Sequence, residues 1–269
     1  MPLAVCATPI GNLEDVTLRV LAELAAADLV LCEDTRRTRN LLDRHGIDAR
    51  VRSYHRHNEA AEVAKLLPLL AAGERLALVS DAGLPGVNDP GARIIAAALA
   101  AGVAVTVLPG ASAVETALVA SGLAGDQYRF LGYLPRRVAQ LAGLWRELAG
   151  WPHPAVAFES PQRLGASLES LASFDPGRTV AVCRELTKVF EEVVRGSAAE
   201  LAERYGTAPK GEVTVVIGPP AAAPVREGGD AALAAVSELV AAGTPRRVAA
   251  DVVARLTGAS RNALYRESL

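Results

Sequence analysis

Short apolar runs alternate with amphipathic stretches through the first half of the chain. "LAVCAT" (3–8), "LVLCE" (29–33), "VRSY" (51–54), "LALVS" (76–80) and "VAVTVL" (103–108) predict strands. Between them, apolar positions at helical spacing predict helices over 17–27, 35–45 and 58–72. Gly46 suits the C′ position of the second helix, and Asn58 suits the N-cap of the third, with acids in its first turn. Strands that are apolar on both faces and separated by helices predict an α/β fold whose sheet is mostly parallel and covered on both sides. Ligands bind such sheets beyond the carboxyl ends of the strands.

The pattern restarts at "YRFLGYLP" (128–135), continues as a helix to about 149, and recurs as strands at 154–159, 179–185 and 212–219. Residues 1–117 therefore predict one α/β domain and 125–219 a second. "PPAAAPVREGGD" (219–230) has the composition of a linker. Beyond it, 230–269 predicts a helical module. In "TPRRVAADVVARLTGASRNALYRESL" (244–269) a helix, a Thr-Gly turn and a helix capped by Ser260 follow one another, with Val248, Val252, Val253 and Leu256 at helical spacing. That is the outline of a helix-turn-helix, and equally of a small dimerisation or packing module.

Composition narrows the function classes. Of 269 residues 51% are hydrophobic, but no uninterrupted apolar run approaches the roughly 18–20 residues of a membrane span. The N-terminus lacks the basic start and apolar core of a secretion signal. Three cysteines (Cys6, Cys32, Cys183) lie in or beside apolar runs without metal-ligand spacing, which predicts buried thiols and a reducing, cytoplasmic setting. A net charge of −2 argues against general coating of nucleic acid. The charge is uneven, however: 36–57 holds seven arginines and three histidines against two aspartates.

Candidate chemistry gathers in three loops at strand ends: "TPIGNLEDVT" (8–17), "SDAGLPGVNDPG" (80–91) and "PGASAVET" (109–116). Neither phosphate-gripping glycine motif, G-x-x-x-x-G-K-[ST] or G-x-G-x-x-G, occurs, and Asp81 and Asp89 would repel phosphate. Glycines let backbone amides approach a ligand closely, and acids hold an amine or another cation. The loops thus suit a cationic nucleoside such as S-adenosylmethionine. "GASA" at 110–113 fails as a hydrolase elbow because position 114 is Val. "HRH" at 55–57 has no companion ligands, so no metal site is expected.

"TPIGNLEDVTLR" (8–19), "EDTRRTRNLL" (33–42), "VSDAGLPGVNDPG" (79–91), "LPGASAVETALVASGL" (108–123), "FLGYLPRR" (130–137), "FESPQRL" (158–164) and "RELTKVFEE" (184–192) together resemble the tetrapyrrole-methylase-like, class III family of S-adenosylmethionine-dependent methyltransferases. Within it they are most similar to the branch acting on small-subunit ribosomal RNA. The resemblance implies two α/β domains with the cofactor in the cleft between them and a homodimer. It also implies 2′-O-methylation of a cytidine in the decoding region of 16S rRNA, as free rRNA or within the small ribosomal subunit. Carried over by motif, the cofactor contacts are Pro9, Asp81, Ala82, Gly83, Leu84 and Val87 from the first two loops, Ser112 and Ala113 from the third, and Ser160 and Leu186 from the second domain. The chain departs from the family pattern at Leu84, where Thr is usual, and at Asn88, where Ser is usual.

A ribose hydroxyl is a poor nucleophile while it keeps its proton, so a base is expected near the acceptor. Lys188, one of three lysines, and Glu185 lead as candidates, with Asp34 behind them. A desolvated lysine beside another cation can have a lowered pKa. A structural ion pair between Glu185 and Arg184 is the competing reading. For RNA contact the candidates are Arg36, Arg37, Arg39, Arg136 and Arg137 about the cleft, and Arg246, Arg247 and Arg261 in the tail. Two rivals remain: a tetrapyrrole C-methyltransferase, and a non-catalytic RNA-binding factor of ribosome assembly.

Overall fold

The computed structural model describes residues 2–221 and 229–269. Its first sheet is built from β1 (Leu3–Cys6), β2 (Leu29–Cys32), β3 (Val51–Ser53), β4 (Leu76–Val79) and β5 (Val105–Leu108), in the order β3-β2-β4-β1-β5. Every pairing is parallel, as the apolar runs predict. Every residue of β1, β2 and β4 is buried, because helices cover both faces. Those helices are α1 (Leu18–Ala26), α2 (Thr35–Arg44), α3 (Glu59–Ala71) and α4 (Ala92–Ala100).

Local chemistry sets the helix ends. Thr17 and Asp34 cap α1 and α2 through their side chains, and Gly46 takes the left-handed conformation just past α2. Asn58 differs from expectation. Its side chain makes no cap bond to α3; it turns back to accept from the His55 amide and donate to the Ser53 carbonyl.

Next, α5 (Ala113–Ser121) leaves β5 and packs on a second sheet, where Val114, Ala117 and Leu118 join Val156, Ala181 and Val216 in one core. That sheet comprises β6 (Arg129–Tyr133), β7 (Ala155–Glu159), β8 (Thr179–Arg184), β9 (Glu192–Ser197) and β10 (Val213–Ile217), ordered β6-β7-β10-β8-β9. It is mixed rather than mostly parallel: only β6 and β7 run together, and the other three pairings are antiparallel. Its opposite face is covered by α6 (Val138–Ala149), α7 (Pro161–Phe174) and α8 (Ala198–Arg204), with Trp145, Leu168 and Leu201 in the core between. β9 is absent from the sequence-based elements. Burial raises the thiols of Cys6 to about 12 and Cys183 to about 11, so these are unreactive core groups.

Residues through Pro219 form one compact unit and those from Pro220 another. Most of the expected linker, 222–228, lies outside the described residues. The second unit packs α9 (Gly229–Ala241), α10 (Arg246–Thr257) and α11 (Arg261–Glu267) around Val236, Ala249, Ala250, Val253 and Leu264. Gly258 is left-handed after α10, and the Ser260 hydroxyl caps α11, as expected. The buried stripe matches expectation only in part: Val253 is buried, but Val248 is 50% and Leu256 81% exposed, while the alanines at 249 and 250 are interior. Among the described residues no helix is long and apolar enough to cross a membrane.

Candidate functional site

Parallel order brings the loops after β4, β1 and β5 side by side at one sheet edge. An isolated bridge ties the first two: the Thr8 amide donates to the Gly83 carbonyl at 2.9 Å, and the Gly83 amide returns to Thr8 at 3.0 Å. Gly83 has φ +79°, a conformation that costs other L residues energy, which is why the turn after Asp81 needs glycine there. Gly91, at φ +136°, passes so close to Leu78 that a Cβ would lie 2.9 Å from its Cδ2. The density of glycine and proline in this loop therefore serves its folded path.

Between these loops and the second sheet lies a cavity of about 650 Å³. It is lined by eight of the ten expected cofactor residues: Ala82, Gly83, Leu84 and Val87 from the loop after β4, Ser112 and Ala113 at the start of α5, and Ser160 and Leu186 from the second lobe. The other two, Pro9 and Asp81, line a smaller cavity of about 280 Å³. Ile10, Ala82 and Glu212 border both spaces, so the two adjoin.

Sequence reasoning missed much of the larger wall. Phe130, Tyr133 and Phe158 form an aromatic cluster there, with Phe158 edge-on to both partners at 5.1 and 5.6 Å between centroids. Their signal, aromatics at the ends of two apolar strands, is present in "FLGYLPRR" and "FESPQRL". Glu115 accepts from Tyr128 at 2.6 Å and from the Ser112 hydroxyl. Burial pushes its carboxyl up, but these hydrogen bonds outweigh burial and leave its pKa lowered. Glu159, buried under Ser160, accepts from the Ser160 amide at 2.7 Å and the Ser167 hydroxyl at 2.6 Å, with Arg163 3.0 Å away. It fixes the entry to α7. Volume, flat aromatic surface and several carboxylates fit a cationic nucleoside: the rings suit adenine, while Asp89, Glu115 and Glu212 offset positive charge.

The candidate bases occupy different surroundings. Lys188 lines the smaller cavity, and its ammonium donates to Glu185 at 2.8 Å and Glu212 at 3.0 Å. Burial alone would lower its pKa, but the two carboxylates outweigh it and the pKa is raised, opposite to expectation. Among the described residues it is two anions, not a second cation, that flank the Lys188 ammonium. Glu185, in neither cavity wall, also accepts from the Glu212 amide, and the Lys188 bond holds its pKa down. Glu192 rather than Glu185 is the carboxylate paired with Arg184. Asp34 caps α2 and is gripped by Arg36, whose side-chain bond brings its pKa to about 2.

Asp89 is the opposite case. Burial in the larger cavity, with Glu33 and Asp81 adding repulsion against the attraction of Arg56, raises its carboxyl to about 6. Of the expected RNA contacts, Arg36, Arg136 and Arg137 are exposed, and Arg37 sits 3.7 Å from Asp81. Arg39 instead turns inward to donate to the Ala49 carbonyl at 3.0 Å. In the C-terminal unit Arg247 is exposed, Arg246 half-buried, and Arg261 lies 3.8 Å from Asp251. Among the described residues no cluster of three His, Cys, Asp or Glu side chains is placed to hold a metal ion.

Comparison with known proteins gives this geometry its context. The family model of Tetrapyrrole (Corrin/Porphyrin) Methylases matches residues 2–202. A protein of Mesorhizobium japonicum named ribosomal RNA small subunit methyltransferase I is 46% identical over 99% of this chain and 91% of its own length. One of that name from Micromonospora olivasterospora is 43% identical over 97% and 84%. The crystal structure of uroporphyrin-III-C-methyltransferase from Thermus thermophilus shares the fold, with TM-score 0.57 and 22% identity over 80% of this chain and 93% of that one. Sequence, fold and cavity agree: this chain belongs to the tetrapyrrole methylases and, among them, to the ribosomal RNA small subunit methyltransferase I family, whose cofactor is S-adenosylmethionine.

Proposed function

We propose that this chain methylates the 2′-hydroxyl of a cytidine in the decoding region of 16S ribosomal RNA, acting as a cytoplasmic homodimer. The names of its relatives support the RNA class. The observation that carries the chemistry is Asp89, a cavity-lining carboxyl raised to about 6. A base with a pKa just below the working pH is mostly unprotonated yet still accepts a proton readily. Asp34 at about 2, the lowered Glu185 and the raised Lys188 do not meet that condition. Asp89 lines the larger cavity, so it takes the hydroxyl proton of a ribose that reaches from the acceptor side into that cavity, as the ribose oxygen becomes the nucleophile. When bound, S-adenosylmethionine supplies the methyl as an electrophile on sulfur.

The larger cavity orients the donor through the loop after β4, the start of α5 and Ser160. Holding donor and acceptor in line accounts for much of the acceleration in such displacements. Arg36, Arg37, Arg136 and Arg137 supply cations for the RNA backbone, with Arg246, Arg247 and Arg261 as a second basic surface. The dimer is what the family resemblance implies, and light scattering would decide it.

Mass spectrometry of small-subunit rRNA from a strain lacking this protein is expected to show one cytidine without its ribose methyl, restored by the intact gene. A full set of ribose methyls in that strain would overturn the assignment. A chain ending at Pro219 is expected to keep its affinity for S-adenosylmethionine while binding rRNA roughly 10-fold more weakly, through lost phosphate contacts. Calorimetry and filter binding read the two arms, and unchanged RNA affinity would remove the tail from the interface.

A further inference from the structure

The smaller cavity lies beside the proposed cofactor site. Its volume, about 280 Å³, falls just below the roughly 300–1,000 Å³ typical of pockets for drug-sized ligands, a size suited to a single nucleoside. It adjoins the cofactor cavity across Ile10, Ala82 and Glu212. One face of α2 looks into it: Arg37, Thr38, Asn40 and Leu41, spaced as neighbours on a helix surface. We propose that this cavity is the slot for the acceptor nucleoside, with Asn40 reading the base edge and Arg37 and Lys188 holding the ribose-phosphate. The proposal rests on the methyl-transfer reading above and extends it to the residues that select the substrate.

The lining matches a nucleoside better than a simple anion. Pro9, Ile10 and Leu41 present apolar surface suited to a ring face. Asp81 and Glu212 would repel a phosphate placed deep in the cavity but accept from hydroxyl or amino groups. Asn40 offers both a carbonyl acceptor and an amide donor, which meet the N4 amino group and N3 of cytosine in one orientation and O4 and N3–H of uracil in the flipped one, so it suits a pyrimidine edge. Lys188 keeps its proton, since Glu185 and Glu212 hold two of its N–H groups; the third is left to meet substrate. With its charge already offset by Glu185 and Glu212, Lys188 meets a ribose or phosphate oxygen as a hydrogen-bond donor, which gives it a use other than that of a base.

The test uses the full-length protein with Asn40→Ala, rRNA carrying cytidine or uridine at the target, and calorimetric titration of S-adenosylmethionine. Asn40→Ala is expected to raise KM for both the cytidine and the uridine RNA about 10-fold, the loss of one hydrogen bond to the base edge. Cofactor affinity should not change. Unchanged KM would overturn the proposal. So would a matching loss of cofactor affinity, which would make the cavity an extension of the cofactor site. Should the wild-type protein methylate no ribosomal RNA, the reaction assigned above fails, and the slot is decided separately by titrating cytidine 5′-monophosphate into the S-adenosylmethionine-loaded protein. Heat that disappears in Asn40→Ala supports the slot; no heat with wild type overturns it.

Discussion

Asp89→Asn is expected to lower kcat about 10²- to 10³-fold, the usual range for losing a positioned general base, with a much smaller change in S-adenosylmethionine affinity. Asparagine keeps the shape and hydrogen-bonding capacity of the side chain but cannot take a proton at neutral pH. The pH profile separates this from mere disturbance of the loop. Wild-type kcat/KM should fall as pH drops through about 6, where Asp89 becomes protonated, and the asparagine enzyme should lose that inflection. A sulfonium in the cavity favours the carboxylate, so the inflection in kcat should lie below that in kcat/KM. Stability should move the other way. The folded pKa lies above the ordinary value, so the stabilisation from proton uptake is complete below the unfolded pKa and is lost as pH rises through about 6. Asp89→Asn should therefore melt at or above the wild-type temperature at alkaline pH, with the advantage vanishing in acid. A less active but no less stable enzyme is the signature of a strained functional group. Full activity in the variant would remove Asp89 from the chemistry.

What the sequence revealed, and what it hid, follows from how far each property depends on distant residues. The first sheet was legible because β1, β2 and β4 are buried on both faces, so each is a continuous apolar run. Direction was harder: a buried strand reads alike whether its neighbour is parallel or antiparallel, and the mixed second sheet was therefore invisible. β9 escaped because "EVVRGS" is half-exposed and carries Glu192 and Arg195. The turn before it hid as well, since Glu185 and Thr187, not glycine or asparagine, hold its positive φ values of 52° and 65°. In the tail, alanines share the interior of α10 with Val253, and large apolar residues alone marked only part of that stripe.

The candidate site divides along the same line. Loop residues around the cofactor cavity were marked by their own glycines and by motif. The state of a titratable group was not, because its neighbours come from elsewhere in the chain. Asp89 is raised by burial and by Glu33, which follows β2; Lys188 is held charged by Glu212, which precedes β10. Charge partners of that kind appear only once strands are ordered.

Gly11→Ala is expected to weaken S-adenosylmethionine binding about 10- to 100-fold, although Gly11 does not line the cofactor cavity, because of where a single methyl would go. Its Cβ would lie 2.5 Å from Lys188 Cγ, 2.7 Å from the Leu186 carbonyl oxygen and 2.7 Å from Thr187 Oγ1. The lysine stem can swing aside, but the carbonyl cannot move without the turn that carries it. That turn has little freedom: Glu185 and Thr187 already sit in the left-handed region, and Thr187 Oγ1 accepts the Asn12 amide at 3.0 Å. Pushing it outward shifts Leu186, which lines the larger cavity, and Lys188, which lines the smaller one. The cost of such overpacking, ~1–3 kcal/mol, should appear mostly as lost ligand affinity, with part in the melting temperature. Gly143→Ala provides the control. It makes the same chemical change within α6, where a Cβ meets nothing within 4 Å, and should stabilise the fold by about 0.5–1 kcal/mol without touching cofactor affinity. If both variants bind S-adenosylmethionine like wild type, the contact between the loop after β1 and the turn after β8 does not hold the cofactor cavity in shape.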